Sequence, residues 1–157
     1  MARTVAIAVP DLEATVALGK SLGPLLFPGA VVALIGPLGA GKTTFTRAVA
    51  EGVGVKNLAA VNSPTFTLIH EYAARLPIYH FDAYRLNEPE EFEGLGIDEY
   101  FAGEGVCLVE WADKFLDLLP EERLEIRMER VSETERRWEV DGEGERYKEL
   151  IQKWTVG

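Results

Sequence analysis

The eight residues Gly36-Pro37-Leu38-Gly39-Ala40-Gly41-Lys42-Thr43 carry the most specific chemistry in this chain. They satisfy G-x-x-x-x-G-K-[ST] at every fixed position, through Gly36, Gly41, Lys42 and Thr43. Glycine lets a turning backbone aim its N–H groups at phosphate oxygens, because no Cβ stands in the way. The Lys42 ammonium reaches the β- and γ-phosphates, and the Thr43 hydroxyl offers an oxygen to Mg²⁺. Leu38, Gly39 and Ala40 lie in the same run and Thr44 follows it, and all four add main-chain amides. Residues of these types at this spacing hold a nucleoside triphosphate with its magnesium ion.

Such a loop works only between a buried strand and a helix. Ala30–Ile35 is a continuous apolar run, the mark of a strand covered on both faces. Thr43–Val53 continues as a helix whose free N–H groups and positive dipole end point at the anion. The metal also needs a carboxylate, usually at the end of a neighbouring buried strand. Val106-Cys107-Leu108-Val109-Glu110 supplies four apolar residues and then Glu110. Asp82 is the second candidate. It lies in Tyr79–Tyr84, where alternation sets His80, Asp82 and Tyr84 on one face and Tyr79, Phe81 and Ala83 on the other. Lys42 and Thr43, with Glu110 and Asp82 as rival carboxylates for holding the metal or orienting water, are the candidate residues of the chemistry.

The other elements follow from pattern. Val5–Val9 predicts a short strand. Asp11 is placed to cap a helix running from Leu12 to Leu22, which Gly23-Pro24 stops. Thr65–Tyr72 and Pro77–Tyr84 predict a hairpin. Glu88–Phe92, opened by Asn87, and Ile97–Phe101 predict short helices, and Trp111–Leu119 a longer helical stretch. Leu124–Val131 and Arg136–Val140 predict a polar antiparallel hairpin. Gly144 breaks it before an amphipathic helix, Glu145–Trp154. The expected fold is α/β, a single domain over residues 1–157 with a mixed β-sheet flanked by helices.

Composition narrows the function. The chain has 157 residues, 16 Lys+Arg against 26 Asp+Glu, and a net charge of −10. A free-standing nucleic-acid binder carries a basic footprint, and none is visible here. The acidic stretches Glu88–Glu93 and Glu121–Glu145 suit a solvated surface or a face for a basic partner protein. No apolar run reaches the roughly 18 residues that span a bilayer. The N-terminal residues show no signal-peptide pattern, and Cys107 is the only cysteine, so a reducing cytoplasm is expected. His70 and His80 read as packed or surface residues rather than metal ligands.

GTP is disfavoured. Asp141-Gly142-Glu143-Gly144 matches DxxG by letter, but it sits late, in a polar hairpin, and no NKxD follows. A small-molecule phosphotransferase stays open through the clustered Arg123, Arg127, Arg130, Arg136 and Arg137. A nucleotide-gated binding module is a third reading.

Four motifs in order carry a family resemblance: Gly39–Phe45, Ser63-Pro64-Thr65-Phe66-Thr67-Leu68, His80-Phe81-Asp82-x-Tyr84-Arg85-Leu86, and Glu110-Trp111. Together they resemble the TsaE (YjeE) family, from about Pro10 to beyond Val131. The resemblance implies a bacterial cytoplasmic ATPase. It supports threonylcarbamoyladenosine formation on the adenosine beside the tRNA anticodon by binding the TsaB–TsaD pair, and it meets tRNA only through that complex. It also implies that Thr43 and Glu110 hold Mg²⁺, that Asp82 joins Lys42 and Glu110 as a catalytic residue needed for hydrolysis, and that Thr65, within Ser63–Thr67, senses the γ-phosphate. Leu12 and Arg136 would border the adenine. Pro37 stands where many relatives are acidic. It has no N–H to donate, but a side chain there faces away from phosphate, so little effect is expected.

Overall fold

Val31, Val32, Ala33, Leu34 and Ile35 are all buried, and they form the middle of the sheet as their unbroken apolar run predicts. The computed structural model describes residues 2–37, 41–56, 69–83 and 86–156. In chain order the elements are β1 (Ala2–Val9), α1 (Leu12–Leu22), β2 (Val31–Ile35), α2 (Lys42–Val53), β3 (Ile69–Tyr72) and β4 (Ile78–Asp82). Then come α3 (Pro89–Glu93), α4 (Ile97–Phe101), β5 (Val106–Glu110), β6 (Leu124–Arg130), β7 (Arg136–Glu143) and α5 (Glu145–Val156).

The seven strands among the described residues make one sheet in the order β1-β7-β6-β2-β5-β4-β3. It is mixed, as expected. β2 runs parallel to β5 and β6, and β4 runs parallel to β5. β3 is antiparallel to β4, β7 to β6, and β1 to β7. Alternation along β2 divides the core. Val32 and Leu34 join Leu22, Phe45, Val49, Trp138 and Ile151 under α1, α2 and α5. Val31 and Ala33 join Phe81, Phe92, Cys107 and Phe115 on the other face, under α3 and α4. Each fully buried side chain of this size contributes about 1.5–3 kcal/mol. α1 and α2 touch backbone to backbone. A Cβ added at Gly19 would lie 2.4 Å from the Ala48 Cβ, so only glycine permits the crossing.

Four expectations need correction. β1 spans eight residues, longer than Val5–Val9, because β7 runs on to Glu143 and pairs with it residue by residue. α3 begins after Glu88 rather than Asn87. The Glu91 carboxylate turns back to accept the N–H groups of Asn87 and Glu88, at 3.1 and 3.0 Å. Trp111–Leu119 is no continuous helix. It forms two 3-10 turns, Ala112–Lys114 and Leu116–Leu118, because Phe115 between them is drawn into the core and stacks on Phe92 at 5.1 Å. The β6–β7 hairpin is polar on one face only, since Leu124, Ile126, Met128, Trp138 and Val140 are buried. Asp141–Glu143, the first three of the four residues of the DxxG match, lie inside β7. The segments 38–40, 57–68 and 84–85 lie outside the described residues. They include Leu38, Gly39, Ala40 and Thr65 of the expected site.

Candidate functional site

Strand direction gathers the site at one end of the sheet. Leu34, at the end of β2, is paired with Glu110 at the end of β5, and Glu110 is paired with Asp82 at the end of β4. On the other side of β2, Arg130 ends β6 opposite Arg136, which starts β7. Val9 ends β1 beside Arg136, so α1 begins there too, at Leu12. Gly36, Asp82, Glu110, Arg136 and Leu12, far apart in sequence, share this edge.

Gly41 caps α2 in the left-handed region, with φ 105°, where a side chain would be strained. Its carbonyl accepts the Phe45 N–H at 2.9 Å, so the first turn of α2 starts directly from the loop. Lys42 is 5 % exposed. Its Nζ donates to the carbonyls of Gly36 and of Pro37, the latter at 2.9 Å, and lies 3.9 Å from the centre of the Trp111 ring. Burial lowers the Lys42 pKa, while Glu110, Asp113 and Asp82 pull it the other way. Trp111 holds this place with a positive φ of 60°, unusual for a bulky residue and found where a site fixes a side chain.

Thr43 Oγ1 donates to Glu110 Oε1 at 3.3 Å. Glu110 is 2 % exposed, and its other oxygen, Oε2, is bonded to His80 Nε2. Asp82 is 6 % exposed and so is no surface strand residue. Thr43 Oγ1 and Glu110 Oε1 are two hard oxygen donors side by side. That set suits Mg²⁺, which keeps several waters and takes few protein ligands.

Beside Gly41, a pocket of about 210 Å³ is lined by Asp11, Leu12, Thr15, Glu133, Thr134 and Arg136. Leu12 and Arg136 therefore line one pocket, and Asp11 serves also as the α1 cap, accepting the Ala14 N–H at 2.9 Å. A larger hollow, about 470 Å³, is lined by Glu121, Glu125, Asp141 and Glu143 around Arg123. Its carboxylates would repel a polyphosphate, so size does not choose the site.

The sequence reading missed His80 as a partner of Glu110, and Asp113. The His-x-Asp spacing put His80 on the face of Asp82, but the bond to Glu110 depends on the β4–β5 register. His70 lies opposite His80, with its Nδ1 3.1 Å from the Tyr72 hydroxyl.

The sequence profile described as Threonylcarbamoyl adenosine biosynthesis protein TsaE matches residues 9–138. The Bacillus subtilis tRNA threonylcarbamoyladenosine biosynthesis protein TsaE is 49 % identical over 142 residues, covering 90 % of this chain and 87 % of that protein. The Haemophilus influenzae protein of the same name is 44 % identical over 119 residues, 72 % of this chain and 74 % of its own. The crystal structure of Bacillus subtilis YdiB superposes with a TM-score of 0.83 at 40 % identity, covering 99 % of this chain and 97 % of that one. With most of its length matched by the profile and by these relatives, this chain belongs to the TsaE family of threonylcarbamoyladenosine biosynthesis proteins.

Proposed function

We propose that this protein binds and hydrolyses ATP with Mg²⁺ as an accessory factor for threonylcarbamoyladenosine modification of the tRNA adenosine next to the anticodon. It acts in the cytoplasm, through the TsaB–TsaD heterodimer, and is a weak ATPase alone. The observation that carries the reading is the meeting of Lys42, Thr43 and Glu110 at the ends of two paired parallel strands, with Asp82 on the next.

Each residue has a task. Lys42 leaves the Gly36 and Pro37 carbonyls and pairs with the β- and γ-phosphates. Thr43 and Glu110 would hold Mg²⁺. When bound, the ion polarises the phosphoryl oxygens and offsets the charge that develops in transfer. Asp82 orients the attacking water and accepts its proton. The α2 N-terminus faces the phosphates, as in other phosphate loops. Leu12 covers one side of the base and Arg136 closes the pocket. Thr65, through its hydroxyl, senses the γ-phosphate.

The acidic surface favours work through a partner. A net charge of −10 repels the tRNA backbone, so contact with tRNA comes through TsaB–TsaD. The deciding experiment measures ATP turnover and tRNA modification together, with this protein, TsaB–TsaD, tRNA, threonylcarbamoyl donor and Mg²⁺. Both should require the protein, and both should fall when Glu110 is replaced by Gln. Modification that proceeds equally without the protein or without ATP would overturn the reading.

A further inference from the structure

Glu110 has two oxygens, and the proposed function uses only one. Oε1 faces Thr43 Oγ1 at 3.3 Å, long for an O–H···O bond, so Thr43 holds it loosely. Oε2 is bonded to His80 Nε2. His80 is 0 % exposed, in the middle of β4, one strand away from Glu110 on β5. Its other ring nitrogen, Nδ1, is buried with no hydrogen-bond partner among the described residues. That asymmetry fixes the tautomer. A proton on Nδ1 would be a buried donor with nothing to receive it, a costly arrangement, whereas a proton on Nε2 is met by the carboxylate. The ring itself is wedged among neighbours. The His70 and Tyr72 rings lie 6.5 Å from it, centre to centre.

A buried carboxylate free to rotate would present either oxygen, in many directions. We propose that His80 is the positioning residue of Glu110: it donates its Nε2–H to Oε2 and so holds Oε1 towards Thr43 and the Mg²⁺ of a bound nucleotide. The inference rests on the function proposed above and adds a residue to it. His80 touches neither nucleotide nor metal. It acts through Glu110, as hydrogen-bonded partners of metal ligands commonly do, at a cost of about 10–100-fold in metal affinity when they are removed.

The test exploits reach. A glutamine amide nitrogen comes close to where His Nε2 lies, while an asparagine amide reaches only the region of Nδ1. The variants are His80→Gln, His80→Asn and His80→Phe, the last keeping a ring without a donor. Mn²⁺ binding to the protein–ATP complex is read by electron paramagnetic resonance, and metal-free ATP binding by calorimetry in EDTA. The expected result is Mn²⁺ affinity within about threefold of the parent for His80→Gln, and at least about tenfold weaker for His80→Asn and His80→Phe. Metal-free ATP affinity should stay unchanged in all three. If His80→Phe fails to fold, the Gln and Asn pair decides. Equal Mn²⁺ affinity in all variants, or His80→Gln as weak as His80→Asn, would overturn the positioning role and leave the ATPase reading intact. A parent protein that binds neither ATP nor Mn²⁺ would overturn both.

Discussion

Replacing Lys42 by Met separates the two states of this lysine. In the structure its Nζ is spent on the Gly36 and Pro37 carbonyls and on the Trp111 face. On the proposed function, binding ATP exchanges those partners for phosphate. An opposite charge about 4 Å away is worth about 4 kcal/mol at an effective dielectric of about 20. Releasing two carbonyl bonds to a charged ammonium costs about 1.5 kcal/mol each. The surplus is about 1 kcal/mol, so Lys42→Met should weaken ATP–Mg²⁺ binding about fivefold. AMP has no β- or γ-phosphate, so its affinity should not change. The fold should change little, because methionine fills the buried stem and removes a desolvated charge along with the two bonds. Calorimetry at 25 °C with ATP–Mg²⁺ and with AMP reads both numbers, and a thermal melt checks the fold. ATP affinity within threefold of the parent would refute the exchange. An equal loss for AMP would show a damaged pocket rather than a lost phosphate contact.

Glu110→Gln and Asp82→Asn should keep the melting temperature near that of the parent while ATP turnover in the assembled complex falls about 100-fold or more; parental turnover in either variant would remove that residue from the mechanism. Gly19→Ala should destabilise the protein by about 1–3 kcal/mol in urea unfolding, because the new Cβ would stand 2.4 Å from that of Ala48 across the α1–α2 crossing. Burial pushes the Cys107 thiol up to about 12 from an ordinary 9.0. Folding therefore favours the protonated thiol, and the associated stability is present below pH 9 and is lost as pH rises towards 12. Iodoacetamide at pH 8 should spare native Cys107 and label it after unfolding, as mass spectrometry will show. The isolated protein should not bind tRNA at submicromolar concentration in physiological salt, by filter binding or fluorescence anisotropy.

The sequence made the centre of the sheet legible and its periphery less so. Val31–Ile35 and α2 were readable because buried strands are wholly apolar and because Gly41, free to take a positive φ, starts the helix. Glu110 was readable as the first polar residue after an apolar strand. Local rules failed where distant packing decides. Trp111–Leu119 has helical spacing, yet the stacking of Phe115 on Phe92 divides it. Asn87 is a good cap by type, but the Glu91 side chain satisfies the amides there instead. The bond between His80 and Glu110 joins residues thirty apart in sequence, and only the register of β4 on β5 brings them together. Leu12 and Arg136 came from the family resemblance, since no periodicity shows that β1 and β7 bring their ends to one pocket.

The charges around Lys42 bear on why this site would need a metal. The ammonium is surrounded by Glu110, Asp113 and Asp82. Three carboxylates against one ammonium suit neither a bare triphosphate nor a bare diphosphate, which would add like charge to a site that water barely reaches. Repulsion of that kind grows as the dielectric falls. The α2 N-terminus offsets part of it, through backbone groups equivalent to roughly half a charge. On the proposed function, a divalent cation between Glu110 and Thr43 turns the nearest carboxylate from an opponent of phosphate into its support. Asp82, one strand further out, then keeps its charge for the attacking water. The same carboxylates explain the position of Lys42 in the structure described here. The Gly36 and Pro37 carbonyls and the Trp111 ring hold the ammonium where it meets the field of all three acids.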